Sequence, residues 1–220
     1  MDYALFIGEE RTLAYKRFQG IVLNEPSIVA MSPEGRVLAV GQSCEKLDTD
    51  GAHPNISYSR IVRRGMIYNV DNATIFLHQI FKKLGKMQSC IVCIPSSLDK
   101  DALDEYKSAI YSAHTGDVAF VFIPSVFANA TEHEYNVQSY EPILSTVVDG
   151  DFADLAVIKS GEIIDGGTLD SLNKFEEAKN RLMRAHPRAT HVHGDRQSII
   201  NGAGKMLGMN DVIKKIITLN

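Results

Sequence analysis

Two small acidic turns hold the residues of this 220-residue chain best suited to chemistry. The first is Gly8-Glu9-Glu10, after the apolar run Tyr3-Ala4-Leu5-Phe6-Ile7 and before Thr12-Leu13-Ala14-Tyr15. The second is Asp149-Gly150-Asp151, after Thr146-Val147-Val148 and before Phe152-Ala153-Asp154-Leu155-Ala156-Val157-Ile158. Apolar runs broken by a few turn-forming residues read as β-hairpins. Two hairpins of one kind, each heading a strand-rich unit, predict two related halves whose turns face each other across a cleft. Backbone N–H groups in such turns suit a phosphate, and carboxylates there suit a divalent cation. Asp149 and Asp151 are the cation candidates.

Other constellations read more plainly. His191 and His193 share one strand face with Asp195 nearby, which allows a metal pair but also an ordinary polar strand surface. His133, between Glu132 and Glu134, reads as solvated. Gly202-Ala203-Gly204-Lys205 is similar to a phosphate-binding loop. Met206 stands where Ser or Thr is needed, so the run reads as a small-residue helix packing surface. Ser96-Ser97 reads as a helix cap. Cys90 and Cys93 form a CxxC inside the apolar run Cys90–Ile94. In a strand their side chains point to opposite faces, which suits burial and not metal or redox chemistry. Lys16-Arg17 and Arg63-Arg64 are basic pairs that could touch an acidic partner or lipid headgroups, and they read by default as solvated faces.

Composition sets the frame. Hydrophobic residues make up 45% of the chain and charged residues 23%, so it is globular and long enough to bury a core. A net charge of −4 without a basic block argues against nucleic acid as partner. The first residues do not read as a signal peptide, and no apolar run approaches a membrane span. The Asn-x-Ser/Thr matches at Asn55, Asn72 and Asn129 therefore carry no weight. The expected compartment is a reducing cytoplasm.

Patterning predicts strands over 3–8 and 11–18, a short strand Ile21-Val22-Leu23 broken by Asn24-Glu25-Pro26, and a hairpin of 27–31 with 36–40. Residues 42–58, with Gly51 and Pro54, read as a short helix and loop, and 59–68 as extended. Asp71 or Asn72 caps a helix to Leu84 with Ile75, Phe76, Ile80, Phe81 and Leu84 as its apolar stripe, stopped by Gly85. A strand at 90–94, a helix at 99–113, a strand at 118–123 and a helix at 124–130 follow. Residues 131–142 read as a polar hinge between the halves. After the second hairpin, Asp165-Gly166-Gly167-Thr168 reads as a turn. Ser171–Ala185 reads as a helix burying Leu172, Phe175, Leu182 and Met183. Thr190–His193 is a strand, 197–207 a helix, and 212–219 either helix or strand.

Gly20-Ile21-Val22-Leu23-Asn24-Glu25-Pro26-Ser27-Ile28-Val29-Ala30 with Gly35-Arg36-Val37-Leu38-Ala39-Val40-Gly41 closely resembles the bacterial rod-shape actins (MreB-like). So do Arg63 to Asp71, Val92-Cys93-Ile94-Pro95-Ser96 and Val147-Val148-Asp149. The resemblance covers about residues 5–170, with a weaker match over 188–208. It implies an α/β actin-like ATPase (ribonuclease H-like) fold with two related halves, the second reduced. The expected boundaries are 1–140 for the first half, with a small insertion subdomain at about 24–70. The second half, 141–220, is expected to lack one subdomain.

That family binds ATP between its halves, and its motifs are altered here. Its first phosphate loop carries Asp, then Gly-Thr. An ungapped match puts Phe6 at the Asp, keeps Gly8, and puts Glu9 at the Thr. Its second loop carries a glycine run after the Asp, where this chain has Gly150-Asp151-Phe152-Ala153, two residues shorter. The catalytic acid expected before Pro124 is replaced by Phe122-Ile123. Of the adenine-side glycine pair, only Gly194 remains.

The resemblance thus leaves a relic nucleotide cleft of Gly8, Glu9, Thr12, Asp149, Asp151 and Gly194. No catalytic residue, bound cofactor or metal is expected. The predicted function is that of a catalytically degenerate member, a structural or regulatory partner of a cell-shape filament, whether self or a related actin-like protein. The alternative is an ATP/Mg-binding filament protein or switch. There Glu9, Asp149 and Asp151 would hold Mg²⁺ while Gly8, Thr12 and Gly194 approach the phosphates. A third reading is a gene remnant without function.

Overall fold

A computed structural model describes residues 1–49, 55–169 and 171–219. The chain opens with β1 (Tyr3–Ile7) and β2 (Arg11–Lys16), an antiparallel hairpin with Ile7 opposite Thr12. β3 (Gly20–Pro26) extends it on the far side of β2. The chain then leaves this sheet. β4 (Ile28–Met31) and β5 (Val37–Val40) pair with each other, α1 (Ser43–Thr49) follows, and β6 (Ser57–Arg60) returns to pair with β4. β7 (Val62–Arg63) and β8 (Met66–Ile67) make a small ladder. Gly51 and Pro54, part of the predicted loop, lie outside the described residues.

The amphipathic α2 (Val70–Leu84) leads back to β9 (Ser89–Ile94), which runs parallel to β1. α3 (Lys100–Ala113) then leads to β10 (Ala119–Pro124), parallel to β9. α4 (Ser125–Glu132) crosses to the second unit, which opens with β11 (Ile143–Asp149) and β12 (Phe152–Lys159). β13 (Glu162–Leu169) pairs with β12. A 3-10 turn (Leu172–Lys174) and α5 (Phe175–Ala185) come next. β14 (Thr190–Asp195) lies parallel to β11, and α6 (Arg196–Met206) and α7 (Asn210–Leu219) close the chain.

The two main sheets repeat one path. Their strand orders are β10-β9-β1-β2-β3 and β13-β12-β11-β14. Each is an antiparallel three-strand meander followed by a strand that returns parallel to the first. The expectation of two related halves holds, and the second is the smaller, with four described strands against five. The repetition sets the β1–β2 and β11–β12 turns at equivalent positions.

Between the sheets lie α4 and α6. Every residue from Ser125 to Thr131 is buried, as a helix walled on all sides requires. α6 packs on it through Gly202, where a Cβ would overlap the Ala128 carbonyl oxygen, and on β2 through Gly204, where one would overlap the Tyr15 ring. The GAGK run is thus a close-packing surface. Cys90 faces the core formed with α2 and α3, and Cys93 faces the core between the sheets. Burial pushes both thiols up, so both are inert side chains in strand β9.

The structure departs from the sequence reading at several elements. β3 continues through Asn24, Glu25 and Pro26 because it is an edge strand, where proline is tolerated. The cap of α2 is Asn69, whose side chain accepts from Asn72 N. Ile75 is exposed, and Ala73 and Leu77 are buried in its place. Asp165–Thr168 is strand and not turn. Gly166 and Gly167 adopt φ of +118° and +151°, and a Cβ on Gly166 would overlap the Leu155 carbonyl. The glycines let β13 lie close against β12. Leu172 and Met183 are exposed, because α5 covers the outer face of the second sheet and buries only Leu182 fully. The stretch 212–219 is helix.

A Gly202→Ala substitution tests the helix contact. Alanine gains about 1 kcal/mol of helix propensity, whereas overpacking against a backbone carbonyl costs about 1–3 kcal/mol. A net loss of stability in urea denaturation is expected.

Candidate functional site: two facing turns

The first turn is closed by Gly8 N donating to Arg11 O at 3.1 Å. The second is a tight hairpin in which Asp149 opposes Phe152 and Gly150 takes φ of +62°, a conformation that favours glycine. The turns meet directly. Glu9 N donates to Asp149 Oδ2 at 2.8 Å, and Gly8 lies so close that a Cβ there would overlap that same oxygen.

Three carboxylates and two guanidiniums surround this contact. The Asp149 side chain has no exposed surface, and Arg196 Nε lies 3.1 Å from its Oδ1. The same guanidinium reaches Glu10 Oε2 through Nη2. Glu9 turns its carboxylate away, to 3.6 Å from Arg60 Nη1 and 3.3 Å from the Arg64 N–H, which donates to it. Burial pushes the Asp149 carboxyl above its ordinary range, while Arg196 and the Glu9 N–H act against that rise. The hydrogen bond and charge of Arg196 hold Glu10 below its ordinary range.

The aromatic rings complete the filling. Phe152 packs where a Gly65 side chain would otherwise stand. The cavity remaining among Phe6, Gly8, Glu9, Gly65, Asp149 and Phe152 is about 10 Å³. That is at the lower limit for a single water.

A second buried carboxylate joins the halves deeper in. Asp154, on β12, accepts from Ser96 N at 2.9 Å, Ser125 Oγ at 2.7 Å, Thr168 Oγ1 at 3.2 Å and the Ser96 hydroxyl. Ser97 Oγ accepts from Thr168 N at 2.7 Å. Ser96 and Ser97 therefore tie the end of β9 to β12 and β13. The helix-cap reading is corrected here, because the cap of α3 is Asp99. Burial raises the Asp154 carboxyl, and its hydroxyl and amide donors act against this.

The residues singled out in sequence divide into two sets. Gly8, Glu9 and Asp149 converge. Thr12 is buried on β2 with Oγ1 2.9 Å from Ser27 Oγ. Asp151 is exposed at the hairpin tip. Gly194 packs against α4, where a Cβ would overlap Asn129 Oδ1. His191 Nε2 and His193 Nδ1 converge on the buried Thr146 hydroxyl at 3.1 and 3.0 Å. Asp195 is turned from them to cap α6, accepting from Gln197 N and Ser198 N. Among the described residues, no three His, Cys, Asp or Glu side chains are grouped to hold a metal.

Sequence reasoning missed Arg196 and Asp154. Asp154 left a signal, since an acid inside an otherwise apolar strand needs buried partners. Arg196 left none, because 47 positions separate it from Asp149 and only the parallel pairing of β14 with β11 brings them together.

The sequence model described as MreB/Mbl protein matches residues 1–186. The chain belongs to this family. It is 27% identical over 196 residues to the cell shape-determining protein Mbl of Bacillus subtilis, covering 84% of this chain and 57% of that protein. In fold it is similar to MreB5 of Spiroplasma citri bound to ADP, with a TM-score of 0.65, 24% identity and coverage of 84% and 56%. It is also similar to the MamK double helical filament, with a TM-score of 0.60, 12% identity and coverage of 95% and 65%. The fold is therefore the actin-like one. The chain spans little more than half the length of its Mbl and MreB5 relatives.

The MreB/Mbl family is one of actin-like ATPases. The turns do not fit a nucleotide and its cation. The Glu9 N–H and Asp149 already bond each other, and Arg196 and two phenylalanine rings fill the adjoining space. Glu9, Glu10 and Asp149 stand against Arg196 and Arg60, and the charge of Arg11 also acts on Glu10.

Asp149 and Asp154 both have raised folded-state values. Between the ordinary value of about 4 and those raised values, the folded chain holds more protons than the unfolded chain. Their contribution to stability therefore falls as pH rises through that window. Asp154→Asn removes one of the two titrations. The stability of the unsubstituted chain relative to this variant is expected to fall from pH 4 toward neutrality, measured by urea denaturation at stepped pH.

Proposed function

We propose that this MreB/Mbl family member neither holds nor hydrolyses ATP, and acts as a structural or regulatory partner of a cytoplasmic actin-like filament. One observation carries the reading. The chain's own side chains occupy the space between the two turns, with Arg196 bridging Asp149 and Glu10. The resemblance puts Phe122 and Ile123, before Pro124, where the family carries the acid that orients water, which supports the reading. We assign residues 1–140 to the first half, with an insertion at about 24–70, and 141–220 to a second half lacking one subdomain. The MamK relative was solved as a double helical filament, which supports a like partner, either a second copy or a related protein. Among the described residues, no helix is long and apolar enough to cross a membrane.

A second reading, of a nucleotide-binding filament protein or switch, is favoured by the MreB5 structures bound to ADP and AMPPNP. Under it Glu9, Asp149 and Asp151 hold Mg²⁺, and Gly8, Thr12 and Gly194 approach the phosphates. The Thr12 hydroxyl is committed to Ser27, and Gly194 to its contact with Asn129. Both would have to be released.

Calorimetric titration with Mg-ATP, a phosphate-release assay and co-pelleting with a full-length family member decide between the readings. The first predicts no heat, no phosphate release and co-pelleting. Micromolar binding with turnover overturns it in favour of the second, and absence from the pellet removes the partner role.

A further inference from the structure

We infer that Arg196 is a built-in ligand of the cleft, a side-chain cation that closes the two turns on each other without any separate bound group. Its backbone is fixed first. Asp195 caps α6 through Gln197 N and Ser198 N, which anchors Arg196 at the end of β14, beside the end of β11. Its guanidinium then serves both halves at once. Nε faces Asp149 of the second half, and Nη2 faces Glu10 of the first. A planar guanidinium can bond two carboxylates from different edges, which a lysine ammonium on a flexible stem does less well.

The two contacts differ in weight. Glu10 is 44% exposed in its side chain, so that contact is screened by water and salt. Asp149 has no exposed side-chain surface, and its partners are Arg196 and the Glu9 N–H of the opposite half. Removing Arg196 leaves a buried carboxylate facing Glu9 and Glu10 without its cation. Such a charge is relieved by separating the turns and admitting water. At the turns the relation between the halves therefore depends on one side chain, while the Asp154 cluster joins them deeper in.

This inference deepens the partner reading at the same site. Its test contains neither nucleotide nor filament, so the two can fail separately. Hydrogen exchange of the full chain is read at the Glu9 amide, with the amides of α2 as an internal reference. In Arg196→Ala the Glu9 amide is expected to exchange roughly tenfold faster or more, with α2 unchanged. Low-millimolar guanidinium, but not potassium at equal ionic strength, should restore its protection. Unchanged exchange at Glu9 overturns the inference. So does a rise shared equally by α2 and not reversed by guanidinium, which is general destabilisation. If Arg196→Ala does not fold, Arg196→Lys decides: faster exchange confined to Glu9 and the turns supports the inference, and exchange equal to that of the unsubstituted chain overturns it.

Discussion

A carboxylate without solvent is the constraint around which the two halves are arranged. Asp149 sits at the tip of β11 with its side chain wholly covered, and a buried charge persists only with a cation and hydrogen-bond donors around it. Arg196 is the cation, and the Glu9 N–H is a donor from the opposite half. Several residue choices follow from this one group. Gly8 has no side chain because Asp149 Oδ2 occupies that space. Glu9 points its own carboxylate toward Arg60, away from a second negative charge. Glu10 stays at the rim, where it shares Arg196.

Asp154 repeats the arrangement with neutral donors. It is deeper, and Ser96, Ser125 and Thr168 surround it. Asp149 ends β11 and Asp154 is the third residue of β12, so the hairpin is held to the first half at its tip and again just beyond it. Between these two points Phe152 packs beside Gly65, and almost no space remains. Buried ionic groups of this kind contribute less to net stability than well-packed apolar side chains would, and they fix one arrangement by penalising others.

The architecture was legible where local patterning and burial agreed. The hairpins at 3–16 and 143–159, the amphipathic α2 ending at Gly85, and the inert cysteines of β9 follow from strand alternation, helical periodicity and cap chemistry. Legibility failed where the environment of an element came from elsewhere. Gly166-Gly167 has the composition of a turn, and it is strand because β12 approaches closely. Leu172 and Met183 look like a buried face, but α5 lies on the outside of the second sheet and, among the described residues, both side chains stay exposed. His191 and His193 share a strand face as alternation requires, and it is Thr146 on the neighbouring strand that gives them a common partner.

The sequence by itself determined the family, the two-halved fold and the positions of the two turns, because each depends on short-range spacing that survives in one dimension. The resemblance also led to the expectation that the glycines and acids of a nucleotide site are altered. Only the tertiary structure decided what stands in their place. Arg196 and Asp149 are far apart in the chain, and the parallel pairing of β14 with β11 carries the start of α6 to the hairpin tip. Asp154 meets Ser96 and Ser125 because two sheets close on α4 from opposite sides. Ion pairs and buried hydrogen bonds are satisfied between neighbours in space, and no periodicity along the chain encodes those neighbours.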